Sequence, residues 1–281
     1  LGWAPVTAAA GGLIGALVLA ATLGIKPGIF FIISTAIAPV LISHLALINR
    51  PAGASGAAEG EAADNDVQWY PEGRLILWCG LIACALMTLT IFVIGSGAEG
   101  FQAIVKTSLD TLVAQIAEGV DPDELAKVQQ AIAVFARFAA PIAACVWLLS
   151  TLFNLWAASR ILDASQRSPR PWAPFSSYAL PRTSTIAMAV AVAASFMPGT
   201  LGLIGLVGIA LMTTIFTIIG LAALHGVTMG NPMRPFILAT TYLALFVLSW
   251  VVMLPLVILA LADLMFNLRQ RRAASMPGPN D

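Results

Sequence analysis

Few side chains in this sequence have the type and placement to do chemistry, and most of them sit inside or beside apolar runs. His44 is the ionisable group of the run 29–48. An imidazole there would hold a proton or a ligand, because ionisable residues within a membrane are commonly functional; so near the end of its run, it equally suits contact with headgroups. His225, beside Gly226, reads as interfacial. Asn154 would bond a polar solute or a carbonyl of a neighbouring helix, the second being worth about 0.6–2 kcal/mol. Thr213, Thr214 and Thr217 would offer hydroxyls beside a solute route. Asp263 and Asn267 stand one helical turn apart, and Asp263 with Arg269, or with an arginine of another loop, would form an ion pair closing a bundle. Cys79, Cys84 and Cys145 show no CxxC or Cys/His spacing, so they read as small packing residues rather than disulfide or zinc ligands. There is no HExxH, GxSxG or Walker loop, and no carboxylate pair within a run. No catalytic residue, metal or cofactor is expected, and the chain does not read as an enzyme.

These residues are positioned by elements that must face lipid. Hydrophobic residues make up 59% and charged residues 10%, with a mean hydropathy of +0.90, whereas an ordinary soluble domain has about 45–50% and about 25%. The net charge of zero gives no bulk attraction to nucleic acid. The stretch 139–158 lacks charge and has about the 20 residues that cross a bilayer core. It ends at Trp156 and runs into a basic loop, 159–182, carrying Arg160, Arg167, Arg170, Trp172 and Arg182, as membrane spans do. Six further runs read as spans: 5–23, 29–48 with a kink at Pro39, 75–94, 183–197, 201–226 and 235–262. The expected fold is an all-α polytopic transmembrane bundle of about seven spans, a single integral membrane domain over 1–281.

Glycine spacing suggests where helices touch. Gly11 and Gly15 form a small-xxx-small pair, and Gly202, Gly205 and Gly208, in step with Gly199, form a groove that admits another helix at backbone distance. Between the spans, 49–66 is Ala/Gly-rich and acidic and reads as a flexible loop. Trp69, Tyr70 and Trp78 around Arg74 read as an interfacial anchor. Within an amphipathic insert at 98–137, apolar residues recur at three- and four-residue steps from Phe101 to Ile116, predicting a helix on the membrane surface or against the bundle. Asp121-Pro122-Asp123-Glu124 predicts a capped helix start that continues into the span at 139. Residues 269–281 read as a soluble tail.

Orientation does not resolve, because alternating the seven spans divides the Lys and Arg residues evenly between the two sides. A re-entrant 183–197 would put the loop 159–182 and the arginines of the tail on one side. The chain opens on Leu1 in an apolar context, which predicts further spans upstream.

Taken together, Val67-Gln-Trp-Tyr-Pro-Glu-Gly-Arg74-Leu-Ile-Leu-Trp78, Asn154-Leu-Trp-Ala-Ala-Ser-Arg160-Ile, Arg170-Pro-Trp172, Pro198-Gly199 and Leu261-Ala-Asp263-Leu-Met-Phe-Asn267-Leu-Arg269 resemble the YybS-like predicted membrane proteins, a bacterial family of unknown function, in its alphaproteobacterial form. The likeness covers nearly the whole chain but departs in the acidic insert and in an absent first hairpin. It implies a bacterial cytoplasmic membrane and carries no ligand residues. A more distant likeness, of helical architecture alone, is to the substrate-binding membrane components of energy-coupling-factor vitamin transporters.

Two functions are expected besides partnership with the lipid bilayer. One is binding or movement of a small solute beside 201–226, with His44, Asn154, Thr213, Thr214 and Thr217 as pathway residues. The other is a non-transporting envelope scaffold that recruits a protein partner through the basic loop 159–182 and the helices of 98–137; the interface and partner candidates are Trp69, Tyr70, Arg74, Arg160, Arg167, Arg170, Trp172, Asp263 and Arg269. On the bland reading those arginines set topology and touch lipid phosphate, worth about 1 kcal/mol each.

Overall fold

The computed structural model describes residues 4–51, 67–116, 121–248 and 250–274. The chain is an all-helical membrane protein. Four stretches, 27–47, 72–95, 123–164 and 199–227, are long and apolar enough to cross a membrane by length and composition, and further apolar helices are shorter. The chain clusters into two compact units, residues 1–82 with 151–172 and residues 83–150 with 173–281.

In the first unit, α1 (Ala4–Leu23) and α2 (Ile25–Phe31) form a hairpin. Gly24 alone makes the break, at φ 101°. Gly28, between the runs expected at 5–23 and 29–48, already lies in α2 against α1. A methyl on Gly12 would meet Ala36 Cβ at 2.8 Å and one on Gly15 would meet the Phe31 ring at 2.8 Å, whereas Gly11 faces open space. The touching pair is therefore Gly12 and Gly15, one residue away from the four-residue register expected. The kink expected at Pro39 takes another form. A π-helical stretch, Ile32–Ile37, leads into α3 (Ala38–Leu47). Pro39 has no N–H and its ring crowds the carbonyl of Thr35, and a wider turn relieves both. Two short strands, β1 (Asn49–Pro51) and β2 (Val67–Trp69), pair antiparallel with Asn49 opposite Trp69. The first residues of the supposed loop 49–66 are thus strand, and 52–66 lie outside the described residues. The helix α4 (Glu72–Gly95) starts in this unit and ends in the other.

The second unit is built on α8 (Gly199–Val227), whose Leu203, Val207, Leu211, Ile215, Phe216 and Ile219 are buried. The glycine groove is occupied by α7 (Ser184–Ser195). A methyl on Gly202 would strike the carbonyl of Met197, one on Gly205 the backbone of Ala194 and Ser195, and one on Gly208 would stand 2.9 Å from Ala191 Cβ. Gly199 serves the turn instead, at φ 64°. With 12 residues, α7 rises about 18 Å and falls short of the roughly 30 Å hydrocarbon core. Over the expected span 235–262 the described residues are helical, as α9 (Arg234–Leu248) and α10 (Trp250–Phe266), with residue 249 outside the described residues. Pro255, inside α10, withholds an N–H and crowds the carbonyl of Val251. Leu256 of α10 packs its backbone onto Gly220.

The amphipathic insert is α5 (Ala98–Ile116) followed by the start of α6 (Pro122–Ala164). Only the first turn of α5 is buried, at Ala98 and Phe101, with the Ala98 N–H donated to Thr200 Oγ1 at 3.0 Å. Further along, Ile104 and Leu112 are exposed. The cap forms: Asp121 Oδ1 accepts the Asp123 N–H at 2.8 Å. From it α6 runs unbroken for 43 residues, about 64 Å, so Arg160 belongs to a helix and not to a loop. The short helix α11 (Leu268–Ala274) takes up the beginning of the expected tail, and 275–281 lie outside the described residues.

Candidate functional site

Each unit is closed by one arginine, and a cavity lies beside the second of them. In the first unit α6 ends with Gln166 in the left-handed region at φ 55° and the Arg167 N–H donated to the Leu162 carbonyl at 2.9 Å. The reversal brings Arg170 back onto the unit, where 2% of its surface is exposed. Its Nη1 donates to the Ala46 carbonyl at 2.7 Å and to the Tyr70 carbonyl at 3.2 Å, and its Nη2 pairs with Glu72 Oε1. The Ala46 carbonyl is in the last turn of α3, where helix carbonyls have no partner in the helix itself. The guanidinium carbon lies 4.4 Å from the Trp172 ring centroid and 5.7 Å from that of Trp69, within cation–π reach. Tyr70 Oη accepts the Trp78 indole N–H at 2.9 Å. Arg170 and Trp172 are thus enclosed with Trp69, while Arg74, Arg160 and Arg167 are exposed. The basic loop is not one surface. Glu72, which completes the cage, went unnoticed in the sequence, where a carboxylate at a helix start reads as a dipole partner.

In the second unit the chain leaves α10 through Asn267 at φ 51°. This turns Arg269 back onto Asp263, with Nε–Oδ2 2.9 Å, Nη2–Oδ2 2.6 Å and the Arg269 N–H to Oδ1 3.1 Å. Nη1 donates onward to the carbonyls of Ser176 at 2.7 Å and Tyr178 at 2.9 Å. The arginine stem crosses α8 at Gly226, where a methyl would stand 2.8 Å from its Cδ. That glycine carried no signal in the sequence beyond its place at a run's end. His225 is half-buried. Its ring meets Phe175 and Tyr242 edge-on at 5.4 and 5.9 Å, with Nδ1 2.9 Å from the Leu221 carbonyl.

Beside this latch opens a cavity of about 540 Å³. Phe216, Ile219, Ala260 and Leu264 contribute apolar surface, and Ser176, Arg182, Asn267 and Gln270 contribute polar groups. Asp263 and Arg269 line it as well. The pathway residues expected from sequence do not build it. His44 lines a separate apolar groove with Leu13 and Leu41, and Asn154 is exposed on α6; both belong to the first unit. Thr213 is half-buried. The buried Thr214 and Thr217 donate their hydroxyls back to the carbonyls of Ala210 and Thr213, at 2.9 and 2.8 Å.

A family model described as "Predicted membrane protein (DUF2232)" matches residues 13–264. It agrees with the YybS-like resemblance of the sequence. No curated protein and no solved structure matches the chain, and none supports the likeness to energy-coupling-factor components.

Proposed function

The chain belongs to that family of predicted membrane proteins, and from this premise we propose that it is a multi-pass protein of the bacterial cytoplasmic membrane that binds a small solute as a component of a transport process. The supporting observation is the cavity of about 540 Å³ beside Arg269. Its volume is that of sites for small organic molecules, and its pairing of apolar surface with a few polar groups matches their lining. The reading includes no catalytic step. The competing one, recruitment of an envelope partner through 159–182, has only Arg160, Arg167 and Arg182 left exposed for it, because Arg170 is enclosed.

The same unit supports a topology. A 12-residue α7 fits a re-entrant hairpin with α8, and Arg269 rests on the carbonyls of Ser176 and Tyr178. Arg182, Arg269, Arg271 and Arg272 then share one membrane face, the cytoplasmic one by the bias of basic residues.

The test is native mass spectrometry of the chain purified in mild detergent, together with a Leu264→Trp variant that fills the cavity. A small molecule should stay bound to the parent protein and be lost from the variant. An equal bound complement in both proteins, or none in either, overturns the reading.

A further inference from the structure

Resting on the solute-binding reading above and specifying it, we propose that the cavity takes an amphiphile with an anionic head, a carboxylate or a phosphate ester, read by Arg182. The two charged side chains of the latch do not read it. Asp263 receives three donors from Arg269, two from the guanidinium and one from the backbone, so its negative charge is matched and covered. Arg269 in turn directs Nε and Nη2 to Asp263 and Nη1 to two carbonyls. The pair is neutral as a whole, and its hydrogen-bonding capacity is largely filled.

Arg182 differs. It lines the same cavity, is exposed, and its guanidinium has no protein partner among the described residues. The uncompensated charge of the cavity wall is therefore a single positive one, in a residue whose planar fork suits carboxylate and phosphate oxygens. Gln270 and Asn267 stand in the same lining with neutral amides for the remaining oxygens. Leu264, backed by the buried Phe216 and Ile219, gives the rest of the ligand an apolar wall, so a small hydrophilic anion would leave that surface uncovered. The ligand that satisfies both halves carries its charge at one end and hydrocarbon at the other. Such chemistry comes from two sources, an acidic phospholipid of the bilayer or a soluble fatty acid or alkyl phosphate.

The experiment is equilibrium binding of radiolabelled decanoate and of decanol to the full chain in nanodiscs of zwitterionic lipid, with Arg182→Gln, Arg182→Lys and Leu264→Trp alongside. Decanoate should bind about tenfold or more tightly than decanol. Arg182→Gln should remove that preference while leaving decanol binding, and Arg182→Lys should keep part of it. Phosphatidylglycerol added to the nanodisc should displace decanoate if the source is lipid and leave it bound if the source is soluble; either result supports the anionic head. Equal binding of decanoate and decanol, both lost in Leu264→Trp, overturns the anionic specificity and leaves the solute reading standing. A decanoate preference that survives Arg182→Gln overturns Arg182 as the reader. If neither compound binds, this inference fails, and the native mass spectrometry above decides the solute reading separately.

Discussion

Arg170→Met isolates what the enclosed guanidinium does. The substitution keeps an unbranched apolar stem of similar reach and removes every donor. Glu72, about one-seventh exposed at 14%, loses its cationic partner, and the carbonyls of Ala46 and Tyr70 lose their donor. Removing one member of a buried ion pair costs about 3–5 kcal/mol, and the lost stacking between Trp69 and Trp172 adds about 0.5–1 kcal/mol. Partial hydration of Glu72 draws the sum toward the lower end, so about 3 kcal/mol is expected. Arg170→Lys should recover little, since an ammonium cannot span two carbonyls and a carboxylate in one plane. The assay is reversible unfolding of the full chain in mixed micelles, run as a double-mutant cycle with Glu72→Gln. A coupling of at least about 1 kcal/mol between the two positions is expected. Arg170→Met within about 0.5 kcal/mol of the parent, or a coupling near zero, would refute the reasoning.

The remaining predictions rest on contacts of the same kind. Gly205→Ala places a methyl on the backbone of Ala194 and Ser195, where nothing flexible can yield, and should cost at least about 2 kcal/mol; Gly11→Ala, which meets only open space, should stabilise by about 0.5–1 kcal/mol. Both are read in the same unfolding assay, and equal effects would reject the register given for the two hairpins. Gly226→Ala pushes on the stem of Arg269 and should raise hydrogen exchange at 176–178 and 268–272 without changing that of α1 and α2. Asp121→Ala removes the acceptor of the Asp123 N–H and should cost about 1 kcal/mol, visible as faster exchange over the first turns of α6.

Features with a local cause were legible in the sequence. The apolar runs marked the helices, Asp121 and Pro122 marked where α6 begins, and Pro198-Gly199 marked the turn between α7 and α8. Contacts that depend on a distant partner were hidden. Arg170 meets acceptors at Ala46 and Tyr70, 124 and 100 positions away, and a backbone carbonyl carries no residue identity to search for. The glycine pair in α1 was read one residue off because a four-step and a three-step both keep a helix face; the position of Ala36 on the neighbouring helix decides between them.

Arginines of this chain look alike in the sequence, and the two that pair with a carboxylate each follow a left-handed residue, whereas Arg167, Arg271 and Arg272 follow the same two residues and stay exposed. Gln166 at φ 55° precedes Arg170, and Asn267 at φ 51° precedes Arg269. Each reversal drops a guanidinium onto backbone carbonyls, and a buried carbonyl left without a donor costs about 1–3 kcal/mol. One carboxylate beside each guanidinium, Glu72 or Asp263, neutralises the charge thus buried. An arginine engaged in this way has little left to offer a lipid phosphate or a solute. No such reversal precedes Arg182: the next helix, α7, begins two residues later and carries the chain away from it. The residue lines the cavity, is exposed, and has its charge unmatched among the described residues. The distinction is measurable, since Arg182→Gln should leave unfolding unchanged to within about 0.5 kcal/mol while abolishing the preference for an anionic head. Arg269→Gln should do the reverse, lowering stability by at least about 2 kcal/mol, with any decanoate preference surviving in the protein that remains folded.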